Sequence, residues 1–283
     1  MKNEKVWFVT GASKGLGLTL VKELLANGYK VAATSRNIND LNAAVGTSED
    51  FLPLAVSLTD EGSVTAAINQ TIEKFGRVDV VINNAGYGML GSLEELTDAE
   101  ARANFDVNVF GSLNIIRAAM PYLRGQGSGH IFNISSIGGF TGNYPGFGIY
   151  CATKFAVAGF TESLAAEAKD FGVKATVVYP GYFRTSFLEP DSLSVPQNEI
   201  EAYKTVRDVQ AAHQNDINGN QAGDPVKAAQ VMIKVAESAD APVHLFLGED
   251  AYGLAQQKMD IISQDLAGWK ALGTSTGFNT SGQ

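Results

Sequence analysis

The feature of this sequence that most constrains its fold is the alternation of short apolar runs with longer segments of helical periodicity. Seven runs are rich in β-branched and other apolar residues, and they span 6–10, 30–34, 52–56, 78–82, 130–134, 174–179 and 243–247. Most segments between them place apolar residues at helical spacing. Strands that alternate with helices fold into a parallel sheet covered on both faces. We therefore predict an α/β fold, a doubly wound parallel sheet of about seven strands with helices on both faces.

Helix-capping signals support this prediction. Thr97-Asp98-Ala99-Glu100 has the form of a capping box at the start of a long helix. Gly76 and Gly172 stand where helices commonly end, and Asp224-Pro225 has the form of a cap followed by proline in the first turn. We interpret 1–283 as one domain.

The segment of about 186–223 departs from the pattern, because its periodicity breaks down and no strand is evident. We interpret it as a flexible excursion over the sheet that closes on a substrate as a lid. A rigid helical cap is the alternative, since 200–214 is compatible with a helix. A helical extension is expected at about 251–272, followed by a frayed tail at 273–283.

Charge and cysteine content limit the partners. The chain has 21 basic and 30 acidic residues and a net charge of −9, so its field repels polyanions and we expect no nucleic-acid partner. The single cysteine, Cys151, cannot form an internal disulfide. The first residues lead into a strand-like run, so we expect no signal peptide, and no apolar run is long enough to span a membrane. We therefore expect a cytoplasmic protein without a metal or a membrane partner.

A glycine-rich turn, "TGASKGLG" at residues 10–17, follows the first predicted strand. Glycines at this place allow a tight turn and a close approach of backbone N–H groups to a pyrophosphate, and the next helix adds positive partial charge. Such spacing also occurs by chance, so the position after the first strand carries the inference. This position indicates a dinucleotide-binding Rossmann fold, with a plain tight turn as the alternative.

The end of the second predicted strand indicates which dinucleotide is bound. NAD-binding folds commonly place an acid there, whereas this chain has Ser35 and Arg36. With Lys14 in the glycine turn, two cations and a hydroxyl meet where an adenosine 2′-phosphate would lie. The pattern favours NADP(H) over NAD(H), although either cation alone could be an ordinary surface residue.

The stretch from Phe132 to Lys154 holds the candidate catalytic groups. Tyr150 and Lys154 are four residues apart and share one helix face, so the ammonium group can lie near the phenol. A charge at that distance could lower the pKa of the tyrosine by the roughly 3 units needed for proton transfer near neutral pH. Ser135 and Ser136 end the fifth predicted strand, at the sheet edge where ligands bind, and a serine hydroxyl there could bond a substrate oxygen. Capping of the next segment is the alternative, and it suits Ser135 better.

The order of motifs resembles the short-chain dehydrogenase/reductase family over about 6–185, in its compact one-domain branch. The resemblance rests on "TGASKGLG", "NNAG" at 83–86, "DVNVFG" at 106–111, "ISS" at 134–136, "YCATK" at 150–154 and "PGYFRT" at 180–185. It implies that Tyr150 is the general acid/base, that Ser136 orients the reacting oxygen, that Lys154 also grips the nicotinamide ribose, and that Asn108 holds a water in a proton relay.

The resemblance also implies a set of cofactor contacts. Many relatives have an aspartate after the third strand, but here Ser57 stands there, which leaves adenine recognition to the Leu58 backbone. The expected cofactor-binding residues are Gly11, Ser13, Lys14, Gly15, Leu16, Gly17, Ser35, Arg36, Leu58, Asn84, Ala85, Gly86, Tyr150, Lys154, Pro180, Gly181, Phe183 and Thr185.

These observations predict an NADP(H)-dependent oxidoreductase that interconverts a carbonyl and an alcohol. The alternatives are a non-catalytic NADP-binding sensor or scaffold on the same fold and a nucleotide-sugar epimerase or dehydratase, for which the chain is short. An apolar wall is expected from Met89, Tyr144, Phe147, Tyr182 and Phe187, with Arg184 as the one candidate cation of unknown direction. A small hydrophobic carbonyl or alcohol is the expected substrate.

Self-association is a further expectation. The two long helical segments around 97–123 and 150–171 carry apolar residues beyond one face, including Phe105, Val109, Phe155 and Phe160. Related proteins pair these helices across a two-fold axis. The sequence therefore predicts a homodimer or homotetramer.

Overall fold

A computed structural model describes residues 4–278, and its centre is one parallel sheet. The strands, in chain order, are β1 (Val6–Val9), β2 (Lys30–Ser35), β3 (Phe51–Ala55), β4 (Val80–Asn83), β5 (Gly88–Met89), β6 (Gly129–Ile134), β7 (Val173–Pro180), β8 (Leu193–Ser194) and β9 (His244–Leu247). Seven of them form a sheet in the order β3-β2-β1-β4-β6-β7-β9, and all adjacent strands are parallel. The doubly wound seven-stranded prediction is confirmed, and strand ends differ from the predicted runs by at most two residues.

Helices cover both faces of the sheet. They are α1 (Gly15–Ala26), α2 (Ile38–Val45), α3 (Glu61–Phe75), α4 (Asp98–Phe105), α5 (Gly111–Gln126), α6 (Gly148–Ala168), α7 (Lys204–Ala211), α8 (Pro225–Glu237) and α9 (Glu249–Gly273). Neighbouring residues of β1 belong to opposite cores, because side chains alternate along a strand. Trp7 packs with Leu20 and Met232 on one face, whereas Phe8 packs with Ile68 and Leu123 on the other.

The helix ends follow the predicted capping signals. Thr97 and Glu100 form a complete capping box before α4. The Asp224 side chain accepts a hydrogen bond from the Val226 N–H at the start of α8, and Gly76 and Gly172 both adopt left-handed conformations. The predicted long helix at 97–123 is interrupted by a π-helical turn, Asp106–Phe110, between α4 and α5.

The turns after β1 and β4 are locked together. Thr10 Oγ1 accepts hydrogen bonds from the backbone N–H groups of Asn84 (3.0 Å) and Ala85 (3.1 Å). The Asn84 amide donates back to the carbonyls of Thr10 (2.9 Å) and Gly11 (3.0 Å). A Cβ on Gly11 would lie 2.7 Å from Ala85 Cα, and Gly11 has φ +64°. These turns sit where the strand order reverses, so the lock fixes the sheet edge at which this fold class binds ligands.

The excursion at 186–223 is folded against the body. The expectation that it holds no strand is wrong, because β8 pairs with β5 through hydrogen bonds from Gly88 and Leu90 to the carbonyls of Ser192 and Ser194. Leu193 supplies the apolar side chain that buries this short strand. The helix-compatible run forms α7 and a π-helical turn, Ala212–Ile217.

A buried carboxylate fastens the excursion to the loop before α4. Glu95 accepts hydrogen bonds from the backbone N–H groups of Ser92 (2.7 Å) and Ile200 (2.8 Å), and Arg207 donates to both of its oxygens. Burial alone would raise the pKa of Glu95, but these hydrogen bonds and the Arg207 charge outweigh burial and lower it. At pH values above the ordinary carboxyl pKa of about 4.3, the ionised Glu95 side chain therefore stabilises the excursion, and this contribution is lost as the pH falls through the lower folded-state pKa.

The C-terminal helix leaves the body after its first turns. Ala251 and Ala255 of α9 are buried against Ile137, whereas every described residue from 259 to 278 is exposed. The predicted tail begins at the last residue of α9, and residues 279–283 of it lie outside the described residues. Within the described part of the chain, no helix is both long and apolar enough to cross a bilayer.

We expect Gly11→Ala to destabilise the protein more than Gly46→Ala. Both glycines have positive φ, +64° and +86°, so an alanine costs about 1–3 kcal/mol of backbone strain at either position. Only Gly11 faces a close neighbour, whereas nothing lies within 4 Å of the corresponding position at Gly46. The collision with Ala85 should add about 1–3 kcal/mol. Equal losses in urea unfolding would contradict the close packing of the two turns.

We expect Glu95→Gln to loosen the excursion, because the neutral amide cannot hold Arg207 as the carboxylate does. The local loss should be on the order of 2 kcal/mol, or a roughly 30-fold faster amide exchange around residues 200–213. Glu199→Gln is the matched control, because Glu199 also pairs with Arg207 but is half exposed. Equal exchange in both variants would show that Glu95 is not the anchor, and strong protection in the free wild type would favour a rigid cap over a lid.

Candidate active site

A cavity of about 840 Å³ lies at the carboxyl ends of the strands. It brings together nearly all of the residues predicted to bind a cofactor. Those that line it are Gly11, Ser13, Lys14, Gly15, Leu16, Ser35, Arg36, Leu58, Asn84, Ala85, Gly86, Tyr150, Lys154, Pro180, Gly181, Phe183 and Thr185. Gly17 is absent from the lining, because it is buried in α1, where a Cβ would collide with the Asn84 side chain and the Gly11 carbonyl. Its contribution is close packing behind the glycine turn.

One end of the cavity carries positive charge. Lys14 lies just before α1, and Arg36 follows β2 directly. Among the ion pairs of residues 4–278, none involves either cation. Ser57 and Leu58 line the same end, and the Leu58 carbonyl accepts a hydrogen bond from the Asn114 amide (2.8 Å). The carbonyl is thus already bonded within the protein.

The other end of the cavity holds the predicted catalytic side chains. Tyr150 and Lys154 lie on the first turns of α6, and both are buried, at 8% and 4% exposed. The Lys154 ammonium lies 5.8 Å from the centre of the Tyr150 ring and donates to the Ile134 carbonyl at the end of β6 (2.8 Å). Ser136 hydrogen-bonds to the Tyr150 side chain and accepts from the Gly138 N–H (3.0 Å). Three functional groups from β6 and α6 therefore converge on one point of the cavity.

The charge states at this point differ from the sequence-based expectation. Burial raises the pKa of Tyr150 above its ordinary value, and the hydrogen bond from Ser136 offsets this only in part. Burial also lowers the pKa of Lys154 to about 8. The expected lowering of the tyrosine pKa is wrong for the protein alone, because the loss of solvation on burial dominates.

Ser135 has a different role from Ser136. Its hydroxyl donates to the Lys154 carbonyl (2.8 Å), and Ser135 is 3% exposed. This bond joins the end of β6 to α6. The role is structural, but the expectation that capping suits Ser135 better is wrong, because Ser136 caps the next segment by accepting from the Gly138 N–H.

Asn108 lies behind the cavity wall. It belongs to the π-helical turn Asp106–Phe110, and its side chain bonds to both backbone groups of Tyr87 (3.0 Å each) and to Thr153 Oγ1 (3.1 Å). Its oxygen would lie 2.9 Å from a Cβ on Gly86, which places it against the loop after β4. The Asn108 side chain therefore joins three segments around Lys154 and does not line the cavity.

The cavity beside Tyr150 is largely aromatic. Tyr144, Phe147, Tyr182 and Phe187 line it, as predicted. Met89 does not line it, because its side chain is 3% exposed within the adjacent apolar core.

Arg184 points away from this end of the cavity, whereas two polar residues of the excursion, His213 and Gln221, line it. The Arg184 side chain donates to the Gln221 carbonyl (3.1 Å), and the residue is absent from the cavity lining. His213 does line the cavity and lies 2.9 Å from the Tyr182 hydroxyl. The sequence analysis missed His213 and Gln221, because both lie in the segment without clear periodicity. Their burial, at 7% and 4% exposed, is a consequence of tertiary packing.

Comparison with known proteins identifies the family. Residues 5–194 match the short chain dehydrogenase family. A 3-ketodihydrosphingosine reductase from Bacteroides thetaiotaomicron is 36% identical over 246 residues, covering 86% of this chain and 88% of the relative. The crystal structure of a short-chain dehydrogenase from Streptomyces avermitilis is 34% identical, with a TM-score of 0.88, and covers 96% of this chain and 100% of that chain. A structure of ElxO with NADP bound is 28% identical, with a TM-score of 0.71, and covers 87% and 97%. With the fold and the ordered motifs, these matches show that the chain belongs to the short-chain dehydrogenase family of oxidoreductases.

Proposed function

We propose that this protein is an NADP(H)-dependent oxidoreductase that interconverts a carbonyl and an alcohol. The observation that carries the proposal is the convergence of Ser136, Tyr150 and Lys154 at one end of a cavity whose other end holds Lys14 and Arg36. The ketone reductase named among the relatives and NADP in the ElxO structure support the same reaction class.

The residues at the cationic end fit a phosphorylated dinucleotide. Gly11 and Gly15 both line the cavity and have positive φ, so the glycine turn can bring backbone N–H groups close to a pyrophosphate. Lys14 and Arg36 would hold the 2′-phosphate, and Ser35 presents no negative charge against it. Leu58 and Ala85 would line the adenosine side, and the loop 180–185 would hold the nicotinamide side. When bound, NADP(H) supplies or accepts the hydride.

The groups at the other end manage the proton and the substrate oxygen. In reduction, the Tyr150 hydroxyl donates its proton to the oxygen, and Ser136 donates a hydrogen bond that stabilises its developing charge. Burial lowers the pKa of Lys154 to about 8, but the ammonium form still prevails at pH 7. Its positive charge favours the tyrosinate that is left after proton transfer. Asn108 positions the loop after β4 and α6 through Tyr87 and Thr153, and its role in holding a relay water stays a prediction.

The lining favours a hydrophobic substrate. Four aromatic side chains surround Tyr150, and the cavity cations among the described residues are Lys14, Arg36 and Lys154. With Lys14 and Arg36 assigned to the cofactor, no cation is left to hold a carboxylate or phosphate of the substrate. A non-catalytic sensor would not need Ser136 beside the buried Tyr150 and Lys154, which disfavours that alternative.

We further propose self-association across α5 and α6. Phe110 on the π-helical turn and Phe155 on α6 are 52% and 43% exposed. The expectation that Val109 contributes to an exposed apolar surface is wrong, because Val109 is buried and its neighbour Phe110 is exposed. Both residues lie in the π-helical turn, whose extra residue changes which side chains face outward. Phe105 and Phe160 are half-buried. A homodimer or homotetramer would cover this surface.

We also propose a cytoplasmic location, which the buried, unpaired thiol of Cys151 suits.

We expect NADPH to bind more tightly than NADH, and Arg36→Asp to remove at least ~10-fold of that preference, because the carboxylate repels the 2′-phosphate. Isothermal titration of both nucleotides measures the effect. Lys22→Asp is the control, because it makes the same charge change on exposed α1 outside the cavity. An unchanged preference in Arg36→Asp would show that Arg36 does not read the phosphate.

We expect Tyr150→Phe to lower kcat by about 10²–10⁴-fold, because the general acid is lost while the ring remains. NADPH affinity should change little, since the hydroxyl is assigned to the substrate oxygen. The measurement is NADPH oxidation with a panel of apolar ketones and aldehydes, with Tyr122→Phe as the control outside the cavity. Undiminished turnover in Tyr150→Phe would reject the assignment of Tyr150 as the acid, and no turnover by the wild type would reject the proposed function.

A further inference from the structure

The loop after β7 leaves the sheet where its backbone reaches the end of its strand partner. The Gly181 N–H donates to the Leu247 carbonyl (2.9 Å), and β9 ends at that residue. The next N–H, that of Tyr182, donates instead to a side chain, the carboxylate of Asp250 (2.7 Å) in the first turn of α9. Asp250 therefore continues the hydrogen bonding of this loop beyond the end of the sheet.

Asp250 also occupies the space beside Gly181. A Cβ on Gly181 would collide with both carboxylate oxygens, and the three atoms nearest to it all belong to Asp250. Gly181 is not among the glycines with positive φ, so this collision is what an alanine there would meet. The carboxylate is thus in direct contact with the loop backbone at two successive residues.

The side chain of Tyr182 is held by the excursion. Nδ1 of His213 lies 2.8 Å from the Val209 carbonyl and carries the hydrogen, because a carbonyl can only accept. Burial lowers the pKa of His213, so the ring is neutral at pH 7 and its Nε2 accepts from the Tyr182 hydroxyl (2.9 Å). The Tyr182 ring lines the cavity. A shift of the Tyr182 backbone would therefore move the wall of the cavity.

We propose that Asp250 is a positioning residue for the nicotinamide ring of the cofactor. The inference rests on the proposed function, in which the loop 180–185 holds the nicotinamide side. Pro180, Gly181 and Tyr182 line the cavity, whereas Asp250 does not, so Asp250 acts on the ring through the loop. Its two contacts determine how closely the loop backbone approaches the ring, and hydride transfer depends steeply on such distances.

The neighbouring residue Glu249 separates this role from helix stability. Both residues are exposed acids in the first turn of α9, and both charges favour the helix through its dipole. The loop N–H donates to Asp250 and not to Glu249. A difference between variants of these two residues therefore reports on the loop.

The test compares two ligands by isothermal titration of the full chain. They are NADPH and 2′-phospho-ADP-ribose, which is NADPH without the nicotinamide ring. The wild type should bind NADPH more tightly, and Asp250→Ala should reduce this difference about 5-fold, since one hydrogen bond is worth about 1 kcal/mol. The affinity for 2′-phospho-ADP-ribose should stay unchanged, which also shows that the variant is folded. Asp250→Asn should keep most of the difference, because its amide oxygen still accepts, and Glu249→Ala should keep all of it.

A double variant tests the contact itself. Gly181→Ala should reduce the difference as Asp250→Ala does, because its Cβ displaces the carboxylate from the Tyr182 N–H. Combining the two changes should cost no more than either alone, since both break one contact.

The outcomes separate this inference from the proposed function. Equal affinities of the wild type for the two ligands, an unchanged difference in Asp250→Ala, a parallel loss of both affinities or additive losses in the double variant would overturn the positioning role and leave the cofactor assignment standing. A wild type that binds neither ligand would overturn the proposed function and, with it, this inference.

Discussion

The close contact between the turns after β1 and β4 is the constraint on which the rest of the site depends. The Thr10 hydroxyl accepts two hydrogen bonds from backbone N–H groups of the turn after β4, and the Asn84 amide donates two to backbone carbonyls of the turn after β1. The absence of a side chain on Gly11 lets Ala85 approach. The strand order reverses at this point, so helices leave the sheet in opposite directions and open a cleft between them. A side chain at Gly11 that pushed the two turns apart would displace both the bottom of the cleft and the start of α1.

Helix α6 connects the candidate catalytic side chains to the sheet. Lys154 donates to the Ile134 carbonyl and the Ser135 hydroxyl donates to the Lys154 carbonyl, each at 2.8 Å, so two hydrogen bonds join the end of β6 and the residue after it to the first turns of this helix. Burial of Tyr150 and Lys154 shifts both pKa values toward the neutral forms. A charged nicotinamide ring and the ordered ribose of a bound nucleotide would have to reverse that balance for the phenol to act as a base in alcohol oxidation, whereas reduction needs the phenol protonated from the start.

Much of this architecture was predictable because its signals are local. The β-branched runs, the capping box at Thr97 and the glycine turn at Gly11 act through neighbouring residues, and the structure bears out the fold and the cap. The grouping of the site residues followed from a topological rule, since parallel strands end at one edge. Burial of Met89, the direction of Arg184 and the cavity position of His213 depend on how the excursion packs, and the π turn that exposes Phe110 depends on one extra residue within a helix. None of these leaves a periodic signal in the sequence.

The proposed reaction in this cavity is hydride transfer between a bound nicotinamide and a hydrophobic carbonyl. The most direct measurement uses NADPH deuterated at either face of C4, single turnover with a set of apolar ketones, and mass analysis of the products. The account predicts that deuterium from one face alone appears at the alcohol carbon. Tight binding of the nucleotide without transfer of the label to any ketone or aldehyde would contradict it and would point to a sensor built on the same fold.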